Sequence, residues 1–241
     1  MTEFKNKFGL HKDKKDNRDI KLHVPLNITL PVKHEIIPRA IFDQQNIGSC
    51  SANAIANQIM GLYGYDKDVI IPSRLYQYYN SRAIEGNQDS DSGASFRDAY
   101  KALYTNGWCN EELWQYDTSK VYDKPPDECY TSADKSIKRY QSLYPSAYAI
   151  MYAISQNKIV TFGTLIHENF NDLDDNFVVP LPKGQVLGGH AMCLNFYDAE
   201  KKLFGVVNSW SSKWGKNGMC YMTFEHVTNP DWSFDHWTID K

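Results

Sequence analysis

The chain has 241 residues, 42% of them hydrophobic, and a formal net charge of −3. That suffices to bury a packed core without metals or covalent staples, as one large domain or two small lobes sharing a cleft. With no dominant basic block, it has no electrostatic footprint for nucleic acid.

Residues 1–36 are polar and without periodicity, and they read as an irregular leader to a domain spanning 37–241. Charges run through its first 19 residues, so it holds no apolar run of roughly 7–15 residues as a signal or anchor would require. Later segments also fall short of the ~18 uninterrupted apolar residues of a membrane helix. The expectations are no membrane partner and an intracellular setting, or the virion for a viral chain. The leader still carries apolar spots at Phe4, at Phe8-Gly9-Leu10, and at Ile20, Leu22 and Val24. At about 3.3 Å per extended residue it is long enough to occlude a cleft as a short propeptide, or to strap the back of both lobes.

From Cys50, residues Ala52, Ile55, Ile59 and Leu62 fall on one helical face. A second helix is expected from Pro72, with Leu75, Tyr76 and Tyr79 inward. A third runs from Ser95, a good N-cap, to Gly107, a good stop. "YDTSKVYDKPPDE" reads as a linker between a helical lobe at about 45–120 and a β-rich lobe at about 125–241. Pro145 opens a last helix, "PSAYAIMYAIS", and strands follow in "KIVTFGTLI", "GHAMCLNFY", "LFGVVNSW" and "MCYMTF". Helices first and strands last predict an α+β protein with two lobes.

Five cysteines, with no CxxC pair, argue against a structural zinc site. Cys193 and Cys220 lie in apolar strand patterns, as inert core residues do. Cys109 and Cys129 could close a loop of about 20 residues under oxidation, but free thiols are expected in a reducing compartment. Cys50 differs, because it follows Gly48-Ser49 where a helix begins. The positive end of the helix dipole favours an anion there, and a thiol so placed loses its proton more readily. A small buried core residue is the alternative.

A nucleophilic thiol needs a base. "VLGGHAMCL" places His190 behind two glycines, of which Gly189 would let another backbone approach closely. In "VVNSWSSKWGKNG", Asn208 ends an apolar strand, with Trp210 and Trp214 just beyond. A neutral amide can hold one imidazole nitrogen and leave the other facing a thiol, and the tryptophans would keep water from that bond. His190 lies 140 residues after Cys50 and Asn208 lies 158 after it. The first spacing falls within the roughly 130–150 residues of one known Cys–His–Asn constellation, and the second slightly exceeds it.

These motifs together resemble the papain-like cysteine peptidases, over roughly residues 38–240, and most closely the compact members of prokaryotes and large DNA viruses. "QQNIGSC" is similar to the family's segment around the nucleophile, with Gln44 at the oxyanion-hole position. "GGHAM" and "NSWSSKWGKNG" resemble its histidine and asparagine motifs, and "DSGASFRDA" resembles the glycine segment lining the acyl side of the cleft. The resemblance implies a two-lobed papain-like fold, with a helical N-terminal lobe, an antiparallel β-sheet or barrel in the C-terminal lobe, and the active site between. Cys50, His190, Asn208 and Gln44 would be catalytic. Gly93, Ala94, Gly189 and Trp210 would meet a peptide or protein substrate, with Gly93 pairing with its backbone and Trp210 shaping the leaving-group side.

The implied reaction is peptide-bond hydrolysis through a thioester acyl-enzyme, by an endopeptidase, with no metal or cofactor. Acyl or amide transfer on the same fold, or non-catalytic binding in the cleft, are the alternatives. Three positions depart from the family pattern. Ser51 replaces the aromatic after the nucleophile, Ile47 replaces a disulfide cysteine, and Ser211 replaces a glycine after the tryptophan.

Overall fold

The structure is a computed structural model, and it describes residues 7–63 and 70–241. Phe4 therefore lies outside the described residues.

The leader contributes two short strands, β1 (Leu10–His11) and β2 (Lys33–Glu35). Helix α1 (Cys50–Leu62) is buried almost throughout, including Ala52, Ile55 and Ile59. It is the central helix, contacted on more than one side as its interspersed alanines imply. Helix α2 (Arg74–Ile84) is capped by Ser73, whose hydroxyl accepts the Tyr76 N–H. Starting there rather than at Pro72 turns Tyr78 fully inward and leaves Tyr79 half-buried, one residue off the expected register. Strand β3 (Ala94–Ser95) leads into α3 (Phe96–Asn106), which Ser95 caps and Gly107 ends at φ +75°. That left-handed conformation suits glycine.

Beyond the short α4 (Asp127–Thr131) come β4 (Arg139–Ser142) and α5 (Ala147–Ser155), capped by Ser146. Strands β5 (Val160–His167), β6 (Val186–Asp198), β7 (Leu203–Val207) and β8 (Met219–Thr223) follow. The one-turn α6 (Phe224–Thr228) and β9 (Ser233–Asp240) complete the chain. The sheet runs β4-β9-β5-β6-β7-β8, with β2 also paired to β6. Every pairing in it is antiparallel. It stays open between β4 and β8, so the sheet alternative holds rather than the barrel.

Helix α1 joins the two halves. Gln58 Nε2 on α1 donates to the Ile159 and Trp237 carbonyls, at 2.8 and 3.1 Å, and Cys193 Sγ on β6 donates to the Ala54 carbonyl. These contacts fix the first residue of α1 against β6, where the candidate nucleophile and base reside.

The leader is less irregular than its sequence suggests. Between β1 and β2, Leu22 and Ile20 bond the backbone of Ser142, Tyr148 Oη donates to the Pro25 carbonyl and Tyr197 Oη donates to the Pro31 carbonyl. Such backbone pairing needs no side-chain periodicity, so the pattern is silent about it. Ile20, one of the apolar spots, stays 57% exposed.

Candidate active site

Cys50 is the first residue of α1 and is fully buried. The backbone N–H groups of Ala191, Gly9 and Ser51 approach its thiol, and they favour the thiolate. Burial outweighs them and pushes the thiol pKa up. The sequence predicts the opposite direction. The difference comes from the leader, which covers this end of the helix: a Cβ on Gly9 would sit 2.2 Å from the Gly48 carbonyl oxygen.

His190 lies on β6, and its Nε2 is 2.8 Å from Asn208 Oδ1. Because Oδ1 can only accept, Nε2 carries the proton and Nδ1 is left as an acceptor. Nδ1 is buried without a hydrogen-bond partner among the described residues. Trp210 stacks on the imidazole at 4.7 Å between centroids, and Trp214 and Phe170 pack edge-on to Trp210. Burial lowers the His190 pKa to about 4, and Asn208 opposes that shift. Thiol and imidazole are thus held neutral by one cause, exclusion of water.

Gln44, also fully buried, has its amide fixed at both ends. Ser209 Oγ donates to Oε1 at 2.7 Å, which turns Nε2 toward the Lys7 and Ile47 carbonyls, at 2.9 and 3.1 Å. Gly93 adopts φ +81°, and Ala94 donates its N–H to the Gly9 carbonyl at 2.9 Å. A Cβ on Gly93 would fall 2.0 Å from that same oxygen, and one on Gly189 would fall 2.4 Å from the Leu10 carbonyl oxygen. All eight sequence-predicted site residues therefore gather here, and the leader lies against seven of them, all but Asn208.

Residues 7–11 pass through this cleft with β1 parallel to β3. Phe8 packs against His190 and Trp210, each at 6.2 Å. Leu10 is buried against Gly163 and Phe234. Lys7 Nζ pairs with Asp91 Oδ2 at 2.8 Å. Burial raises the Asp91 pKa, but Lys7, the Tyr78 hydroxyl and the Gly48 N–H more than offset it, so the carboxylate stays ionised. Among the described residues, no cluster of three or more His, Cys, Asp or Glu could hold a metal ion, and no helix is long and apolar enough to cross a membrane.

A model of papain family cysteine proteases matches residues 31–231. The chain belongs to the papain family. The curated relative "Uncharacterized peptidase C1-like protein L477" of Acanthamoeba polyphaga mimivirus is 33% identical to this protease, across 97% of this chain and 86% of the relative. Xylellain, a cysteine protease from Xylella fastidiosa, shares 30% identity and a TM-score of 0.90, with 98% of this chain and 97% of that one covered. Procathepsin B S9 from Trypanosoma congolense, at 16% identity and a TM-score of 0.74 over 97% of this chain and 87% of that one, shares the fold. The protein is thus a papain-family hydrolase of α+β fold.

Other residues of this papain-family site escape sequence reasoning. Ser209, which holds Gln44, stands next to Asn208 within the quoted motif and could have been found there. Asp91 likewise opens the quoted "DSGASFRDA", whereas Phe234 lies outside the motifs quoted above. Ser211 sits at φ +67°, so the glycine common at this position has a conformational reason that serine must bear.

Proposed function

We propose that this protein hydrolyses peptide bonds with Cys50 as nucleophile, His190 as proton carrier and Asn208 as its orienting partner. The Cys50 sulfur attacks the scissile carbonyl as its proton passes to His190 Nδ1. The tetrahedral oxyanion is held by Gln44 Nε2 and the Cys50 backbone N–H. Collapse forms a thioester and releases the amine, which takes the proton from His190. Water, activated by His190, then hydrolyses the thioester. The observation that carries the reading is the 2.8 Å bond between His190 Nε2 and Asn208 Oδ1, which leaves Nδ1 an unpartnered acceptor in the cleft that also holds the Cys50 thiol.

We also propose that residues 7–11 keep the enzyme latent. A substrate would run from the Gly93 side, where its acyl part pairs, toward Trp210 at the leaving-group side. The leader runs the other way, from Phe8 at Trp210 to Leu10 beside Ala94. A reversed chain fills the cleft without offering a correctly aimed scissile bond. It also dries the site, which supports a neutral, unreactive thiol and imidazole. Displacing it would admit water and favour the thiolate–imidazolium pair. The seat of Leu10 between Gly163 and Phe234 supports an apolar side chain at the matching substrate position, as in an endopeptidase that reads several residues.

The test is turnover of a fluorogenic peptide. Cys50→Ala should abolish it with the fold intact, and His190→Ala should be nearly as damaging. Gln44→Ala should lower kcat by roughly 10²-fold with little change in KM, the scale of one lost oxyanion donor. Turnover retained by Cys50→Ala would contradict the mechanism.

A further inference from the structure

The loop from Gln44 to Cys50 carries both oxyanion donors, and a single phenol reaches both of its ends. Tyr116 lies in the segment after α3, far from the thiol in sequence. Its hydroxyl donates to the Gln44 carbonyl at 2.9 Å and sits 2.6 Å from Ser49 Oγ. A phenol has one proton, already given to Gln44, so Ser49 is the donor in the second bond. Ser49 Oγ in turn accepts from Asn53 Nδ2 on α1, at 3.0 Å. The donors therefore run one way, from α1 through Ser49 and Tyr116 to the Gln44 carbonyl.

The phenol is itself held. The Arg74 guanidinium lies over the Tyr116 ring at 3.9 Å and the Phe42 ring at 4.3 Å. Its edge grips Glu111 twice, at 2.8 and 2.6 Å, and donates to Asn53 Oδ1 at 3.2 Å. Arginine stacked on rings and paired through both edges has little freedom left. The Gln44 backbone is thus tied through Tyr116 to the same helix that begins with Cys50.

We propose that Tyr116 is a positioning residue for the oxyanion hole: its hydroxyl fixes the Gln44 backbone relative to Ser49–Cys50, so that the Gln44 amide and the Cys50 N–H aim at one oxygen. This inference rests on the peptidase reading above. Donors contribute to catalysis only when set at hydrogen-bond distance from the place where charge develops. Phenylalanine at this position would keep the ring, and with it the stack on Arg74, and remove only the bond that sets the spacing.

A double-mutant cycle on the full chain tests it, with kcat and KM measured separately on a fluorogenic peptide. Tyr116→Phe should lower kcat by about tenfold and move KM by less than about twofold. In a Gln44→Ala background the same change should lower kcat by less than about twofold, since the donor it positions is gone. The melting temperature should fall equally in both backgrounds. An equal kcat loss in both, or no loss in either, would overturn the inference and leave Tyr116 a packing residue. Should Tyr116→Phe fail to fold, Ser49→Ala removes the other partner of that hydroxyl and enters the same cycle with the same expected split. A parent chain that cleaves no peptide would overturn the peptidase reading itself, a different result from an active parent indifferent to Tyr116.

Discussion

Replacing Gly9 with alanine should switch this enzyme on. A Cβ at that position would lie 2.2, 2.5 and 2.6 Å from the carbonyl oxygen, Cα and carbonyl carbon of Gly48. These are backbone atoms two residues before Cys50, so nothing flexible can yield, and the leader must lift. Lifting exposes Leu10, whose burial is worth about 2 kcal/mol. It also breaks the bonds from Ala94 to the Gly9 carbonyl and from Gln44 to the Lys7 carbonyl, each worth about 1 kcal/mol net. Against this, about 1 kcal/mol of backbone entropy returns per freed residue. Freeing Phe8, Gly9 and Leu10 returns about 3 kcal/mol, so the surplus in favour of docking is about 1 kcal/mol, a roughly fivefold rise in the accessible fraction when docking is forbidden. Full-length Gly9→Ala should show that gain twice, in kcat/KM on a short peptide and in the rate of Cys50 alkylation by iodoacetamide. Parent-like values in both assays would refute the latency reasoning, because they would mean that residues 7–11 do not control access.

Docking should also depend on pH. Asp13 of the leader donates its N–H to Asp235 Oδ2 at 2.6 Å, while Arg97 and the Trp237 indole N–H bond the Asp13 carboxylate. Burial, and then the Asp13 charge, raise the Asp235 pKa to about 7, against the pull of the Asp13 N–H, Lys12 and Arg97. A carboxyl whose pKa is raised in the docked state holds its proton more tightly there, so docking is favoured at low pH and weakens as pH rises through about 7. The kcat/KM of the parent, divided by that of Gly9→Ala, should rise between pH 6 and 8, and Asp235→Asn should flatten the ratio; a falling ratio would contradict the sign. Cys109 and Cys129 are free and buried side by side, and burial raises both thiol pKa values. Alkylating denatured, unreduced protein should therefore label five thiols by mass, and three labels would mean an oxidised pair.

Much of the site was legible because it is written in short contiguous motifs. Gln44 and Cys50 share one loop, and Asn208 and Trp210 share one strand end, so local chain geometry places them. Joining His190 to Cys50 took spacing and resemblance, since sequence alone does not say that β6 packs on α1. The slip from Tyr78 to Tyr79 has a local cause, a helix capped by Ser73 that starts two residues later than Pro72 suggests. The leader was the least legible part. It docks through backbone pairing, one small residue, Gly9, and the isolated side chains of Phe8 and Leu10, and none of these makes a hydrophobic period. Tyr116 was equally silent, because a hydroxyl reaching back 72 residues to a carbonyl obeys no repeat.

If Cys50 is the nucleophile of a thiol peptidase, it is the cysteine that a thiol-directed peptidase inhibitor should label. Peptide mapping by mass spectrometry, after an epoxysuccinyl thiol inhibitor is added to parent and Gly9→Ala protein, tests it most directly. One adduct is expected, on Cys50, slow in the parent, faster in Gly9→Ala and suppressed by His190→Ala. No adduct in Gly9→Ala, or label spread over Cys109, Cys129, Cys193 and Cys220 instead, would contradict it.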